Sequence, residues 1–437
     1  MVPCGARRTR SRAGLALPRL RDSAGLAEAR DRPPPLADFT IRADDRRAAV
    51  TAGFLGWTLD AFDFFLVVMS LTAIAREFHR SDAAIAFSIA LTLAFRPLGA
   101  LIFGLMADRY GRRVPLMLDL VFYSVIEVLS GLAPNYTSFL VLRALFGIGM
   151  GGEWGVGASL AMEKVPPRWR GIASGLLQQG YAAGYLLAAL CYFVLFPKWG
   201  WRPLFFVGGL PALVALYVRS HIGESEVWER SRHSSWRDLG RAIVSQWKLF
   251  LYLTLLMAMM NFVSHGTQDL YPTFLERDWG FPPGRRAALT ALSMVGALVG
   301  GIACGSLSNR LGRRRMMVYA LGAAVLLVPL WAYAPSVALL AVGAFAMQFM
   351  VQGAWGVVPA HITELSPDGV RGFLPGFAYQ CGVLIAGSIA TLEATLAART
   401  SYALAMAVTA AAACTLCALV TAVGPERRGI AYGEAPR

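Results

Sequence analysis

Within a stretch that is otherwise apolar, Leu249 to Leu275, residues 261 to 273 read Asn-Phe-Val-Ser-His-Gly-Thr-Gln-Asp-Leu-Tyr-Pro-Thr. A helix turns about 100° per residue, so Asn261, Ser264, His265 and Gln268 share roughly 100° of arc, with Asp269 at its edge. Amides and a hydroxyl on such a face can donate hydrogen bonds to a carboxylate or to a hydroxyl beside it. An imidazole titrates near neutral pH and can take up or release a proton during a working cycle. A lone intramembrane histidine is as readily a satisfied structural residue, and the carboxylate of Asp269 at i+4 is what points His265 towards function.

Ionisable groups deep in an apolar run cost roughly 2.5–3.5 kcal/mol on insertion scales, so they mark function by default. Gly53, Gly56, Asp60 and Asp63 fall on one helical face, which suits close helix approach beside a carboxylate lining a cavity. Asp60 or Asp63 can carry a proton, and a carboxylate's proton affinity responds to a neighbouring guanidinium, so protonation and the arrival of an anion can be linked. Either residue can equally be a structural cap or pairing partner. Arg96, in Leu-Ala-Phe-Arg-Pro-Leu-Gly, comes at a matching depth in the next apolar run. Its fork can bond both oxygens of a carboxylate, and the competing reading is a structural pair with Asp60 or Asp63. Glu153 flanks the stripe Gly147-x-x-x-Gly151-x-x-x-Gly155, whose glycines serve tight helix packing, and its carboxylate is a candidate gate or proton relay.

With 56% hydrophobic and 16% charged residues and a mean hydropathy of +0.51, the 437-residue chain is too apolar for a soluble protein. Twelve apolar runs approach the about 20 residues that a helix needs to cross about 30 Å of hydrocarbon. They cover 49–75, 84–106, 114–133, 138–161, 171–195, 202–220, 249–275, 287–308, 316–334, 337–362, 372–397 and 401–424. Loops after even-numbered runs carry roughly twice the Lys and Arg of loops after odd-numbered ones, which places the basic loops and both termini in the cytoplasm. The net charge of +14 is largely explained by this orientation, because the basic residues sit in short turns and the N-terminal tail and form no continuous face for nucleic acid. Cys4, Cys191, Cys304, Cys381, Cys414 and Cys417 fall in the tail or inside the runs, so neither a disulfide framework nor a metal site is expected. No Ser-His-Asp constellation, phosphate loop or cofactor fingerprint is present, so the expectation is neither an enzyme nor an ATP-driven pump, and no cofactor.

The segment Gly104-Leu-Met-Ala-Asp108-Arg109-Tyr-Gly111-Arg112-Arg113 recurs as Gly305-Ser-Leu-Ser-Asn309-Arg310-Leu-Gly312-Arg313-Arg314, an offset of 201 residues. The same offset carries Gly152, Trp154, Gly155, Glu163, Arg170, Gly171 and Gln179 onto Gly353, Trp355, Gly356, Glu364, Arg371, Gly372 and Gln380. Two motifs sharing one offset imply two parallel six-helix halves related by an axis along the membrane normal, with a site between them near mid-bilayer. The expected fold is an all-α membrane protein of 12 transmembrane helices. Its parts are a disordered tail over 1–46, bundles over 47–220 and 249–424, a linker over 221–248 and a second tail over 425–437. Gln179 and Gln380 are candidates to face the central cavity from opposite halves, although packing hydrogen bonds explain them equally well.

The string Gly-x-x-x-Asp-Arg-x-Gly-Arg-Arg, present between runs 2 and 3 and echoed between runs 8 and 9, resembles the signature of the major facilitator superfamily, and the likeness extends from Thr51 to Gly424. It implies a latch that closes the cytoplasmic side, in which the Asp accepts hydrogen bonds from a helix N-terminus and from Arg. Asp108, Arg109, Arg112 and Arg170 would form it, with Asn309, Arg313 and Arg371 in the second half. Asn309 stands where the family has Asp, which implies a weaker second latch. The seventh run resembles, at every defined position, the signature N-x-x-[ST]-H-x-[ST]-Q-D-x-x-x-T of Jen-type monocarboxylate permeases, in the sialate and lactate proton-symporter branch. That resemblance implies proton-coupled uptake of lactate, pyruvate or a similar short monocarboxylate, with His265 and Asp269 tied to the proton and the amides and hydroxyl of Asn261, Ser264 and Gln268 to the substrate. Arg96 and Gln380 as substrate contacts, and Asp60, Asp63 and Glu153 as proton carriers, complete the candidate set. The expected protein is a monomer in the cell membrane whose partners are a small organic anion, a proton and lipid. Another organic anion, such as sialic acid or an aromatic acid, is the alternative, and Phe62, Phe64, Phe65 and Phe95 near the charged residues would narrow the cavity.

Overall fold

The computed structural model describes residues 43–433 apart from Ser234, so the tail expected over 1–46 lies almost wholly outside the described residues. Helix already begins at Ala43, ahead of the expected boundary. Asp45 Oδ2 sits 3.0 Å from Lys164 Nζ, which ties these first turns to the fourth span.

Spans 1 to 6 are Ala43–Glu77, Asp82–Tyr110, Arg113–Gly131, Tyr136–Lys164, Arg170–Gln178 continued by Gly180–Trp199, and Arg202–Val207 continued by Pro211–His221. Spans 7 to 12 are Trp247–Gln268 continued by Tyr271–Arg277, Pro283–Leu311, Arg313–Ala332, Val337–Leu365, Leu374–Ala386 continued by Ile389–Ala397, and Tyr402–Val423. Eleven are long and apolar enough to cross a bilayer, and span 6 is a shorter apolar helix. Leu190, Phe193, Leu326 and Val423 stand exposed on outward faces, a surface suited to lipid. The linker holds two short helices, Glu226–Ser231 and Trp236–Ser245.

Local sequence sets these elements. Ser81, Asn135, Ser336 and Ser401 cap spans 2, 4, 10 and 12, each accepting a hydrogen bond from the backbone N–H three residues on. Gly111 and Gly312 both adopt φ +104°, a turn that an L side chain resists, which is why glycine recurs in both copies of the motif. Close helix crossings use glycine from both members of each pair, Gly99 of span 2 and Gly356 of span 10 included. Gly147 and Gly151 of span 4 lie on the backbone of Thr92 and Arg96, whereas Gly296 and Gly300 of span 8 lie on that of Phe345 and Phe349.

At one end of the molecule the two halves are bolted together. Asp108 accepts hydrogen bonds from Gly372 N at 2.8 Å and Phe373 N at 3.0 Å, the start of span 11, where the helix dipole favours negative charge. Arg112 holds that carboxylate at 2.5 Å and reaches Glu163 at 3.1 Å, and Arg371 of the second half meets Glu163 at 3.4 Å. The repeat-related set is formed by Asn309, which accepts from Gly171 N at 3.1 Å and Arg313 at 2.9 Å. Arg313 lies 3.0 Å and Arg170 3.6 Å from Glu364. Asn309 also donates to Arg168 O at 3.0 Å, a bond that Asp could not make. Arg109 instead reaches the linker, donating to His233 O at 3.3 Å.

Two glutamates outside the motif complete the symmetry. Glu224 accepts from the backbone N–H of Arg112 and Arg113, and Glu426 from those of Arg313 and Arg314, so each caps a helix start. The described part of the C-terminal tail is docked here. Tyr432 lies between Arg170 and Arg371, whose guanidinium carbons are 3.5 Å and 3.7 Å from its ring centre, and Gly433 N donates to Asp368 at 2.7 Å.

Asp108→Asn keeps the shape of the bolt and removes its charge, so the latched state should lose about 1–2 kcal/mol. Ser159 donates to Arg371 O at 2.6 Å inside this interface. A cysteine placed there, in a background stripped of native cysteines, should react about tenfold faster with a maleimide when Asp108→Asn is present. Equal labelling rates would show that the latch does not rest on that charge.

Candidate functional site

Besides span 6, three spans are interrupted: span 5 at Gln179, span 7 at Asp269 and Leu270, and span 11 at Gly387 and Ser388. A break frees backbone polar groups, which inside a bilayer is tolerated only against protein or a water-filled cavity. The breaks flank a cavity of about 160 Å³ between the halves, whose lining includes Gln178, Gln268, Asp269 and Gly387. Trp57, Phe64, Tyr181, Trp355 and Tyr379 give it aromatic walls.

Arg96 of span 2 supplies the cation. Its guanidinium carbon lies 5.8 Å from the centre of the Tyr379 ring, and its Nε and Nη2 are buried without a hydrogen-bond partner among the described residues. Trp57 Nε1 is in the same condition. Buried donors without partners are uncommon, and here they belong to residues that line one cavity. The opposite wall is span 7. His265 Nδ1 is 3.2 Å from Asp269 Oδ2, and when it donates there Nε2 is left for the cavity. Ser264 accepts from Gln352 at 3.1 Å, and Gln268 donates to Gln348 at 2.8 Å. Asn261 donates to Met257 O at 2.7 Å, which engages its amide nitrogen and leaves its carbonyl. His265 and Asp269 are 37% and 39% exposed, so this part of the cavity wall is open to solvent. A guanidinium fork facing a titratable imidazole across aromatic walls can hold a carboxylate and handle a proton beside it.

Several expected residues lie elsewhere. Asp60, Asp63 and Glu153 are buried inside the first bundle and do not line the cavity. The reason is packing: Gly53 and Gly56 of span 1 face Gly157 and Glu153 of span 4, which turns that face inward. Nor does Arg96 close a structural pair, because both Asp60 oxygens also lack a partner among the described residues. Gln380 donates to Gly151 O at 3.4 Å and stays outside the lining, whereas the repeat-related pair one position earlier, Gln178 and Tyr379, is in it. Of the phenylalanines, Phe64 lines this cavity and Phe65 an adjoining one of about 220 Å³, shared with Gln178, Gln179, Tyr181, Tyr185, Gln268 and Asp269, while Phe62 and Phe95 line neither. Among the described residues no three His, Cys, Asp or Glu side chains converge as metal ligands.

Sequence reasoning missed Trp57, Gln178, Tyr181, Gln352 and Tyr379 in the walls, and Asp119, Glu127 and Glu393 among the buried carboxylates. The three carboxylates carried a signal, since each interrupts an apolar run as Asp60 does. Glu393 accepts from Thr409 at 2.5 Å and abuts Gly266, next to His265. The aromatic residues carried none, because large apolar side chains are everywhere in such a chain.

The sequence pattern of the Major Facilitator Superfamily matches residues 53–391 and 270–434. The chain is 28% identical to the carboxylic acid transporter protein homolog of Saccharomyces cerevisiae over 375 residues, 79% of this chain and 61% of that protein. It is 30% identical to the probable 4-methylmuconolactone transporter of Cupriavidus pinatubonensis over 400 residues, 88% of this chain and 92% of that one. The fold resembles the proton:xylose symporter XylE bound to 6-bromo-6-deoxy-D-glucose, with a TM-score of 0.73 at 19% identity over 89% of this chain and 98% of that one.

Arg96→Lys preserves the charge and removes the fork, so binding of benzoate or lactate should weaken about ten- to hundredfold. Quenching of fluorescence from Trp57 and Trp355 reads it. Trp57→Phe, which deletes one neutral donor, should cost about three- to tenfold. Unchanged affinity in Arg96→Lys would remove Arg96 from the site.

Proposed function

Because the chain belongs to the Major Facilitator Superfamily, we propose that it is a secondary transporter carrying a small carboxylic acid together with a proton by alternating access, with substrates in the lactate and pyruvate class. The observation that carries this reading is the guanidinium of Arg96, two of whose nitrogens are buried without a partner among the described residues, in the wall of a cavity that also holds His265. The acid's carboxylate sits on Arg96. Ser264 and Gln268 meet its other oxygens, the free carbonyl of Asn261 accepts from a hydroxyl where the acid has one, and His265 with Asp269 takes and returns a proton. Asp60, Asp63 and Glu153 carry protons from within the first bundle. Gln380 is not part of this site, since it is bonded to span 4.

Size supports a small acid. The cavity of about 160 Å³ is well under the about 300 Å³ at which pockets for drug-sized ligands begin, which disfavours a bulky sugar acid. The span 7 string and the yeast relative named for carboxylic acid transport support the same class. A second reading, a longer flat acid, is favoured by the adjoining cavity of about 220 Å³ with Phe65, Tyr181 and Tyr185 in its walls, and by the muconolactone name of the Cupriavidus relative. The basic loops support an orientation with the latch and both termini on the cytoplasmic side of the cell membrane. On that orientation the closed latch with a solvent-reached cavity is an outward-facing state, and rocking the halves breaks the bonds of Asp108 to Gly372 and Phe373. The transporter acts as a monomer, each chain holding its own complete site.

Labelled lactate uptake into proteoliposomes, with and without an imposed proton gradient, tests the proposal. Uptake should rise with the gradient and be competed by pyruvate and acetate. Competition by sialic acid but not pyruvate would overturn the substrate class, and competition by benzoate and cis,cis-muconate well beyond pyruvate would favour the longer flat acid.

A further inference from the structure

Where the start of span 5 meets the end of span 8, an open groove of about 610 Å³ runs along the seam between the halves. Arg168 and Ile172 line it from the first half, and Ala303, Leu307, Asn309 and Arg310 from the second. We propose that this groove binds one anionic phospholipid, whose phosphate meets Arg168 and Arg310 while an acyl chain lies along Ile172, Ala303 and Leu307. The inference goes beyond the transport reading and does not rest on it.

The lining has the charge and the order of a lipid. Arg168 and Arg310 are exposed at the rim, and among the described residues no carboxylate lines the groove. The floor is apolar: Leu307 is exposed, and Ala303 precedes Arg310 by seven residues, about 10 Å along span 8 towards the middle of the bilayer. Ser306 spends its hydroxyl proton on Ile302 O at 2.7 Å, which leaves an anion chiefly to the two guanidiniums. A cationic rim over an apolar floor repeats the sequence of headgroup and chain along the bilayer normal, a match that a soluble anion lacks. The Arg-rich residues 1–42 are the poorer occupant, because their charge has the sign of the rim.

The repeat supplies a second, independent observation. The offset of 201 residues carries Arg168 onto Gly369 and Arg310 back onto Arg109. At that corner the linker is the cover. Arg109 donates to His233 O at 3.3 Å, and a Cβ added to Gly369 would stand 2.6 Å from His233 Nε2. The helix Trp236–Ser245 follows, with Leu239 buried and the Trp236 ring 5.8 Å from that of Tyr110. The corner between spans 5 and 8 has no such lid among the described residues. The C-terminal tail only passes beside it: Arg428 donates to Arg310 O at 2.5 Å, which adds a cation, and no described tail residue lines the groove. The covered corner holds Asp108 and the open one Asn309, so a lipid phosphate would return the missing negative charge. Since the groove joins span 5 of one half to span 8 of the other, its occupant favours the latched form.

The test uses the full chain, with phosphatidylglycerol, phosphatidylcholine and inorganic phosphate as probes. Native mass spectrometry should show one phosphatidylglycerol held at least about tenfold more tightly than phosphatidylcholine. Arg168→Gln combined with Arg310→Gln should abolish that preference while phosphatidylcholine binding stays within about twofold. In a background stripped of native cysteines, Ser159→Cys should react with a maleimide about threefold more slowly in phosphatidylglycerol nanodiscs than in phosphatidylcholine ones. With both arginines replaced, the two rates should agree. A phosphatidylglycerol preference that survives the double substitution overturns the site. Inorganic phosphate that displaces the lipid at equal concentration overturns the lipid as occupant, and so does a dimer that the double substitution dissolves, which would place a second copy in the groove. Equal labelling in the two lipids with the arginines intact overturns the hold on the latch.

Discussion

A guanidinium two of whose nitrogens are buried without a partner among the described residues is costly to hold, and much of the site is arranged around it. Arg96 cannot shed its charge. The Tyr379 ring lies 5.8 Å from it, and Trp57 and the polar residues of span 7 line the same cavity. A fixed cation with unmet donors has a standing affinity for an anion of matching fork geometry. The interrupted helices serve the same end, because spans 5, 7 and 11 break where backbone polarity can be met by a cavity rather than by lipid.

The chain's own repetition made the fold legible. One offset linked two sets of glycines, arginines and glutamates, and the structure uses them as paired crossings and paired latches. The candidate site was legible where polarity broke an apolar run, as at Arg96 and across span 7. It was obscure where the decision was a matter of azimuth. Gln380 and Gln178 differ by one register position, and 100° separates a residue bonded to a neighbouring helix from one facing the cavity. Periodicity says which residues share a face and is silent on what that face meets. For the same reason Asp60 and Asp63 were placed on the correct stripe of span 1 and assigned the wrong neighbour.

The latches show how a small chemical difference is spread over a symmetric frame. Asp108 presents a full charge to the start of span 11, whereas Asn309 presents a dipole to the first turn of span 5 and spends its amide on Arg168 O. Around them the arginine and glutamate pairs, and the capping roles of Glu224 and Glu426, are preserved. The two contacts therefore share their arginine–glutamate pairs and differ by one carboxylate charge.

Tyr432 is translated after all twelve spans, yet its ring is clasped between Arg170 of the first half and Arg371 of the second. During synthesis the amino-terminal parts of a chain fold first. The contact between the halves is therefore completed by a ring that lies beyond the last span, and the two bundles share one aromatic spacer that belongs to neither of them.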